Sequence, residues 1–205
     1  MTTFSDAPKL TKGRLDIIDP GSTRVAASIT FQYNPGTLTR KLNPRWMSEE
    51  SRRRRNRNDA LRMRGAPEET IELDVEVDAA DHPEDPQEEG IYPQLAALEN
   101  LVYPASDQVS QNSRRLRRGA IEVSPTEASR TLLVWGKNRV LPVQLTDFTI
   151  TEEAHDPNLN PIRAKVSLSL RVLSYNDLPL DHPVCSDFRT YHQKIEEMAA
   201  KGRNL

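Results

Sequence analysis

Few side chains in this sequence are able to do covalent or metal chemistry. The single cysteine, Cys185, follows a histidine in His182-Pro183-Val184-Cys185. A thiol beside an imidazole is the pairing of a cysteine nucleophile, but such partners usually come from distant chain positions set on a rigid scaffold. A structural or exposed thiol is the expectation here. Glu152, Glu153, His155 and Asp156 bring together carboxylates and an imidazole, donors that suit zinc or manganese. Adjacent side chains on an extended chain point apart, however, and Asp156-Pro157-Asn158 is turn chemistry, so the cluster reads as a solvated turn. No Gly-x-Gly-x-x-Gly, phosphate-binding Gly-Lys-Ser/Thr loop or Gly-x-Ser-x-Gly elbow occurs. The expectation is a protein that is not an enzyme and holds no metal or cofactor.

The strongest electrostatic signal is Arg52-Arg53-Arg54-Arg55-Asn56-Arg57. Guanidinium forks match phosphate oxygens, and affinity for a polyanion grows with each counterion released, so nucleic acid is the alternative partner. Against it, the run has no interleaved aromatics, no recognition-helix or RNA-module signature surrounds it, and the pI is about 6.1. A solvated loop, or one that meets the acidic surface of a neighbouring copy, is the first reading. Arg40 to Ala66 holds ten basic and three acidic residues, whereas Pro67 to Glu99 holds twelve acidic and none basic. Identical subunits can therefore pair basic loop to acidic face and close a ring. A second basic cluster is Arg114, Arg115, Arg117 and Arg118.

These groups must be held by a modest core. The 205 residues fit one domain with extensions. Leu, Ile, Val and Phe number 46, near the roughly 20% level at which highly charged chains stay disordered, but the net charge is only -2. Fifteen prolines against eight glycines mark long solvated segments, and such a chain often completes its burial against neighbours. One cysteine excludes an intramolecular disulfide framework and fits a reducing compartment. With no signal-peptide run and no stretch approaching 18 apolar residues, a cytoplasmic protein without a membrane anchor is expected, leaving the cell by lysis or within a larger particle.

The apolar residues recur mostly at period two, the mark of strands with one buried face. Ile71, Leu73, Val75 and Val77 alternate with acidic residues, and Ala164, Val166, Leu168, Leu170 and Val172 alternate with polar ones. From Val140 to Ile150 the parity changes, which calls for a bulge or bend near Asp147. Further strands are expected at Arg14–Ile18, Arg24–Tyr33, Thr37–Leu42 and Thr131–Trp135, with a hairpin at Gly136-Lys137-Asn138. Ile91, Leu95, Leu98, Leu101 and Val102 make a helical stripe with Pro93 in its first turn and Pro104 at its end. A second helix is predicted over Asp187–Lys201, with Phe188, Tyr191, Ile195 and Met198 as a thin stripe for docking on a partner. Residues 43–68 and 105–119 read as long loops.

Several strings together resemble a known family. Phe31-Gln32-Tyr33-Asn34-Pro35-Gly36-Thr37-Leu38 is similar to the aromatic-Gln-aromatic-Asn-Pro-x-x-Leu signature near the start of the tube-like domain in baseplate proteins of extracellular contractile injection systems, which are phage-tail-like particles. The acidic strand Ile71–Val77, the helix Ile91–Tyr103, Leu133-Val134-Trp135-Gly136, Val143–Ile150 and Asn160–Leu168 follow in the family's order. The resemblance runs over residues 14–178; family members commonly continue into a LysM module, for which Pro179–Leu205 is too short.

What the resemblance implies is an α+β protein, mainly β: a small antiparallel tube-protein-like β-barrel over residues 1–178 with one packed helix, to which the residues themselves add long loops and a C-terminal helical extension over 179–205. Such domains form a hexameric ring around an open lumen. The ring joins the inner tube to the spike hub and acts as a tube initiator. Expected partners are other copies of the chain, the inner tube protein, the spike or hub protein and baseplate wedge proteins. The expected contact residues are Arg52, Arg53, Arg54, Arg55 and Arg57, with Asn34 and Pro35 at a ring surface and Phe188 and Tyr191 on the C-terminal helix.

Overall fold

The structure, a computed structural model, describes residues 10–46, 61–81, 88–118 and 128–203. Its centre is one seven-stranded antiparallel sheet of β1 (Arg14–Ile18), β2 (Ala27–Thr30), β3 (Leu38–Asn43), β4 (Glu68–Asp78), β5 (Arg130–Val134), β6 (Val140–His155) and β7 (Pro161–Val172). The spatial order is β2-β1-β5-β6-β7-β4-β3. Three helices are described: α1 (Tyr92–Glu99), α2 (Ser106–Arg117) and α3 (Pro183–Gly202). The α+β class is as the sequence implies.

The middle of the sheet follows from side-chain alternation. β4 and β7 pair from Thr70 with Arg171 to Asp78 with Arg163. That register puts Ile71, Leu73, Val75 and Val77 on the same face as Ala164, Val166, Leu168, Leu170 and Val172, all of them buried. Each valine, leucine or isoleucine among them stabilises the fold by about 1.5–3 kcal/mol on removal from water. The parity change in β6 is resolved by a register shift between Leu145 and Asp147, which turns Phe148 and Ile150 to the core side shared by Leu145. Two more shifts, near Ala154, end the pairing.

α1 closes the core with Ile91, Leu95 and Leu98. Gly90, just before it, has φ +61°, and a β-carbon there would collide with the Pro161 carbonyl oxygen. The same approach lets the Ile91 N–H donate to that oxygen at 2.8 Å. β2 and β3 are the two ends of the sheet, and among the described residues no backbone ladder joins them.

The helices differ from expectation at two points. Residues 106–117 form α2 where a loop was expected, because the helix buries no side chain and so leaves no apolar period in the sequence. α3 starts at Pro183, ahead of the predicted Asp187, because His182 caps it: its Nδ1 accepts the Val184 N–H at 3.2 Å. Pro183 at the first helical position has no N–H to satisfy.

Candidate assembly surface

The string Phe31 to Pro35 fastens the sheet to itself. Phe31 is buried, its ring centroid 6.5 Å from that of Trp135. Gly13 lies against this pair, where a β-carbon would stand 2.6 Å from the Trp135 ring. Gln32 replaces a missing strand neighbour: its Nε2 donates to the Asp78 carbonyl at 2.7 Å, and its Oε1 accepts the Asp78 N–H at 2.9 Å. The end of β2 is thereby tied to the end of β4, across the mouth of the curled sheet. Asn34 Oδ1 accepts the Gly13 N–H at 2.8 Å while its Nδ2 donates to the Thr11 carbonyl at 2.9 Å. The Asn34 side chain is engaged within its own chain, and Pro35 beside it is half-buried; Tyr33 is the exposed member of the string.

Where the basic and acidic blocks meet in the fold, β3 and β4 lie side by side as antiparallel strands. β3 runs against β4 with Leu42 opposite Glu69 and Asn43 opposite Glu68. Arg40 Nε consequently reaches Glu69 Oε1 at 2.6 Å, and Arg45 Nη2 reaches Glu68 Oε1 at 2.7 Å. The ribbon continues past the strands: the Arg64 N–H donates to the Arg45 carbonyl at 2.8 Å, and Trp46 bridges to Met63. Leu42, Trp46 and Met63 are exposed along it. Residues 47–60, with Arg52, Arg53, Arg54, Arg55 and Arg57, lie outside the described residues.

Much of the acidic face is answered inside the chain. Asp78 takes Arg163 at 2.8 Å and Asp74 takes Lys165 at 3.4 Å. Both carboxyls are held below their usual range, Asp74 chiefly by the Ser167 hydroxyl and Asp78 chiefly by the Ala80 N–H. Outward from β7 and β6, Lys165, Ser167 and Ser169 stand beside Thr149 and Thr151, a polar sheet surface.

Phe188 and Tyr191, expected as a docking stripe, are only 6% and 4% exposed. They belong to the core of their own chain because α3 lies back on the sheet: Phe188 stacks edge-on against Tyr175 at 5.4 Å and stands 6.1 Å from Tyr191. Tyr191 Oη accepts from Arg40 Nη2 at 2.7 Å, so α3 braces the root of the ribbon through the Arg40–Glu69 pair. Burial pushes the Tyr191 phenol up, with Glu69 adding to it, whereas hydrogen bonding to Glu69 raises Arg40. The stripe's accessible remainder is Ile195 and, in part, Met198.

Cys185 is fully buried, its Sγ donating to the Pro179 carbonyl at 3.2 Å, and desolvation raises its thiol. Its neighbour His182 is spent as the helix cap. Asp156 accepts from the N–H groups of Asn158 and Asn160 and from Asn160 Nδ2, an Asx-turn, while His155 Nε2 lies 2.8 Å from Glu152 Oε2. Among the described residues no three potential metal ligands are grouped.

An open seven-stranded antiparallel sheet with α1 packed on its core, extended by a charged ribbon beyond β3 and β4, is the frame that holds these residues. Residues 9–177 match the contractile injection system tube protein family, and the chain belongs to it. It is a structural component of such a system. Among curated proteins none matches the chain. α3 follows the matched residues, and sequence reasoning missed its tie to Arg40 because the two lie 151 residues apart.

Proposed function

We propose that this chain forms the ring, a hexamer, that joins the inner tube to the spike hub and on which tube assembly starts. The observation that carries it is the placement of α3. A tube domain with an added helix packed on it presents one tube-like face and one altered face, which a joint between tube and spike requires. In this reading the ends of the curled sheet are completed as a barrel and by pairing between subunits, since unpaired strand edges invite such pairing. The polar surface of β4, β7 and β6 lines the lumen, where hydroxyls and paired charges stay hydrated. The ribbon carries Arg52–Arg57 to a neighbouring copy or to the spike, and the exposed end of α3 meets the baseplate wedge. Assembly takes place in the cytoplasm, and lysis releases the particle.

Electron microscopy of particles containing the labelled chain tests this. A single ring of density between tube and spike is expected; label repeated along the whole tube would assign the chain to the tube itself and overturn the adaptor role. Replacing Arg52, Arg53, Arg54 and Arg55 by serine should lower particle yield while the isolated fold stays intact, and unchanged yield would remove the arginines from the interface.

A further inference from the structure

α2 stands apart from the rest of the chain. None of its 12 residues is buried, and Val109 and Leu116, one above the other two turns apart, are 48% and 55% exposed. Arg114, Arg115, Arg117 and Arg118 occupy the other sides of its last turns, and among the described residues none of them is joined to a carboxylate. A helix of this length is marginal alone in water, so a surface that covers it adds to its stability. Its own α1 does not cover it. Tyr103 precedes Pro104, a sequence biased to extended backbone, and Ala105 follows at φ -55° and ψ 128°, so extended backbone separates the two helices.

The matching surface is nevertheless present in the sequence. Within the acidic block, Glu68, Glu69, Asp74 and Asp78 are paired in the chain, whereas among the described residues Glu88 and Glu89 before α1 and Glu99 at its end meet no cation. Between them α1 exposes Tyr92. We propose that α2 of one subunit docks on the outer face of α1 of the neighbouring copy, its arginines against Glu88, Glu89 and Glu99 and its Val109 and Leu116 against Tyr92. The donating and receiving surfaces differ, so the contact is heterologous and repeats around a ring. This inference rests on the ring reading and names the copy-to-copy contact within it.

Charge reversal tests it on the full chain. R114E/R115E/R117E, and separately E88R/E89R/E99R, should each weaken copy-to-copy association about tenfold or more, and the two sets combined in one chain should restore it. In a Cys185→Ala background, a Val109→Cys chain mixed with a Tyr92→Cys chain should form a disulfide-linked heterodimer on oxidation. A ring that forms equally well with either reversal overturns this contact and leaves the ring reading standing. A native chain that stays monomeric in solution and in particles overturns both. A disulfide closing within one chain that carries both cysteines, with no link between chains, returns α2 to its own α1 and overturns the proposal. So does loss of oligonucleotide retention on α2 reversal with association unchanged, which would make the helix a nucleic-acid contact.

Discussion

Arg40 Nη2 donates to the Tyr191 hydroxyl at 2.7 Å, joining β3 to a helix that follows the family-matched residues 9–177. The same guanidinium holds Glu69, whose side chain is only 5% exposed. The pair and the hydroxyl form one unit, and its members are unequal. Tyr191→Phe removes one neutral acceptor and is expected to cost about 1 kcal/mol. Arg40→Met strands a buried carboxylate and is expected to cost about 3–5 kcal/mol, most of it recovered when Glu69→Gln is added. Urea denaturation of the three variants measures this; equal losses for Tyr191→Phe and Arg40→Met would show that the carboxylate is not held by the arginine.

Gln32 supplies two hydrogen bonds that a strand neighbour would otherwise make. Gln32→Ala is expected to cost about 1–3 kcal/mol, since the Asp78 N–H and carbonyl lose their partner together. Hydrogen exchange should accelerate first at Asp78. Unaltered protection there would mean that β2 and β4 are held by α1 alone.

The glycines at the close approaches should respond in a fixed order. Gly13→Ala presses on a tryptophan ring that can shift, an overpacking cost of about 1–3 kcal/mol. Gly90→Ala meets a backbone carbonyl and also demands φ +61° of a residue with a β-carbon, so it is expected to cost more. Thermal melts of the two variants decide the order, and Trp135 fluorescence should change only for the first.

Stability should fall at both ends of the pH range. Asp74 and Asp78 are ionised more readily in the folded chain, so below their ordinary 3.8 the unfolded chain binds more protons and the stability they contribute is lost as pH falls. Asp187 acts in the opposite sense: burial raises it, with Arg130 opposing, so protonation favours its folded form. Tyr191 keeps its proton above its ordinary 10.0, so its contribution is present below that pH and lost above it. Tyr191→Phe should flatten the alkaline limb alone; an unchanged alkaline limb would assign that loss to another group.

Cys185 should resist modification. Its burial and raised thiol predict that iodoacetamide reacts only when denaturant is present, and Cys185→Ala should assemble like the native chain. Rapid labelling of the folded chain would place the α3 N-terminus in a different position.

The sequence by itself determined the strands, the β6 bulge, the core faces of β4 and β7, and the family resemblance. Each is written in local alternation or in short strings, and pleated backbone turns alternation directly into buried and exposed faces. Only the tertiary structure decided what the charges and the C-terminal stripe do. Opposite charge blocks become ion pairs because a hairpin lays Arg40 and Arg45 beside Glu69 and Glu68, a matter of register that composition does not carry. Phe188 and Tyr191 became core because α3 folds back over the sheet, and the length of chain between partners such as Arg40 and Tyr191 leaves no local trace. α2 was hidden for the converse reason: a helix that buries nothing imposes no apolar period on its residues.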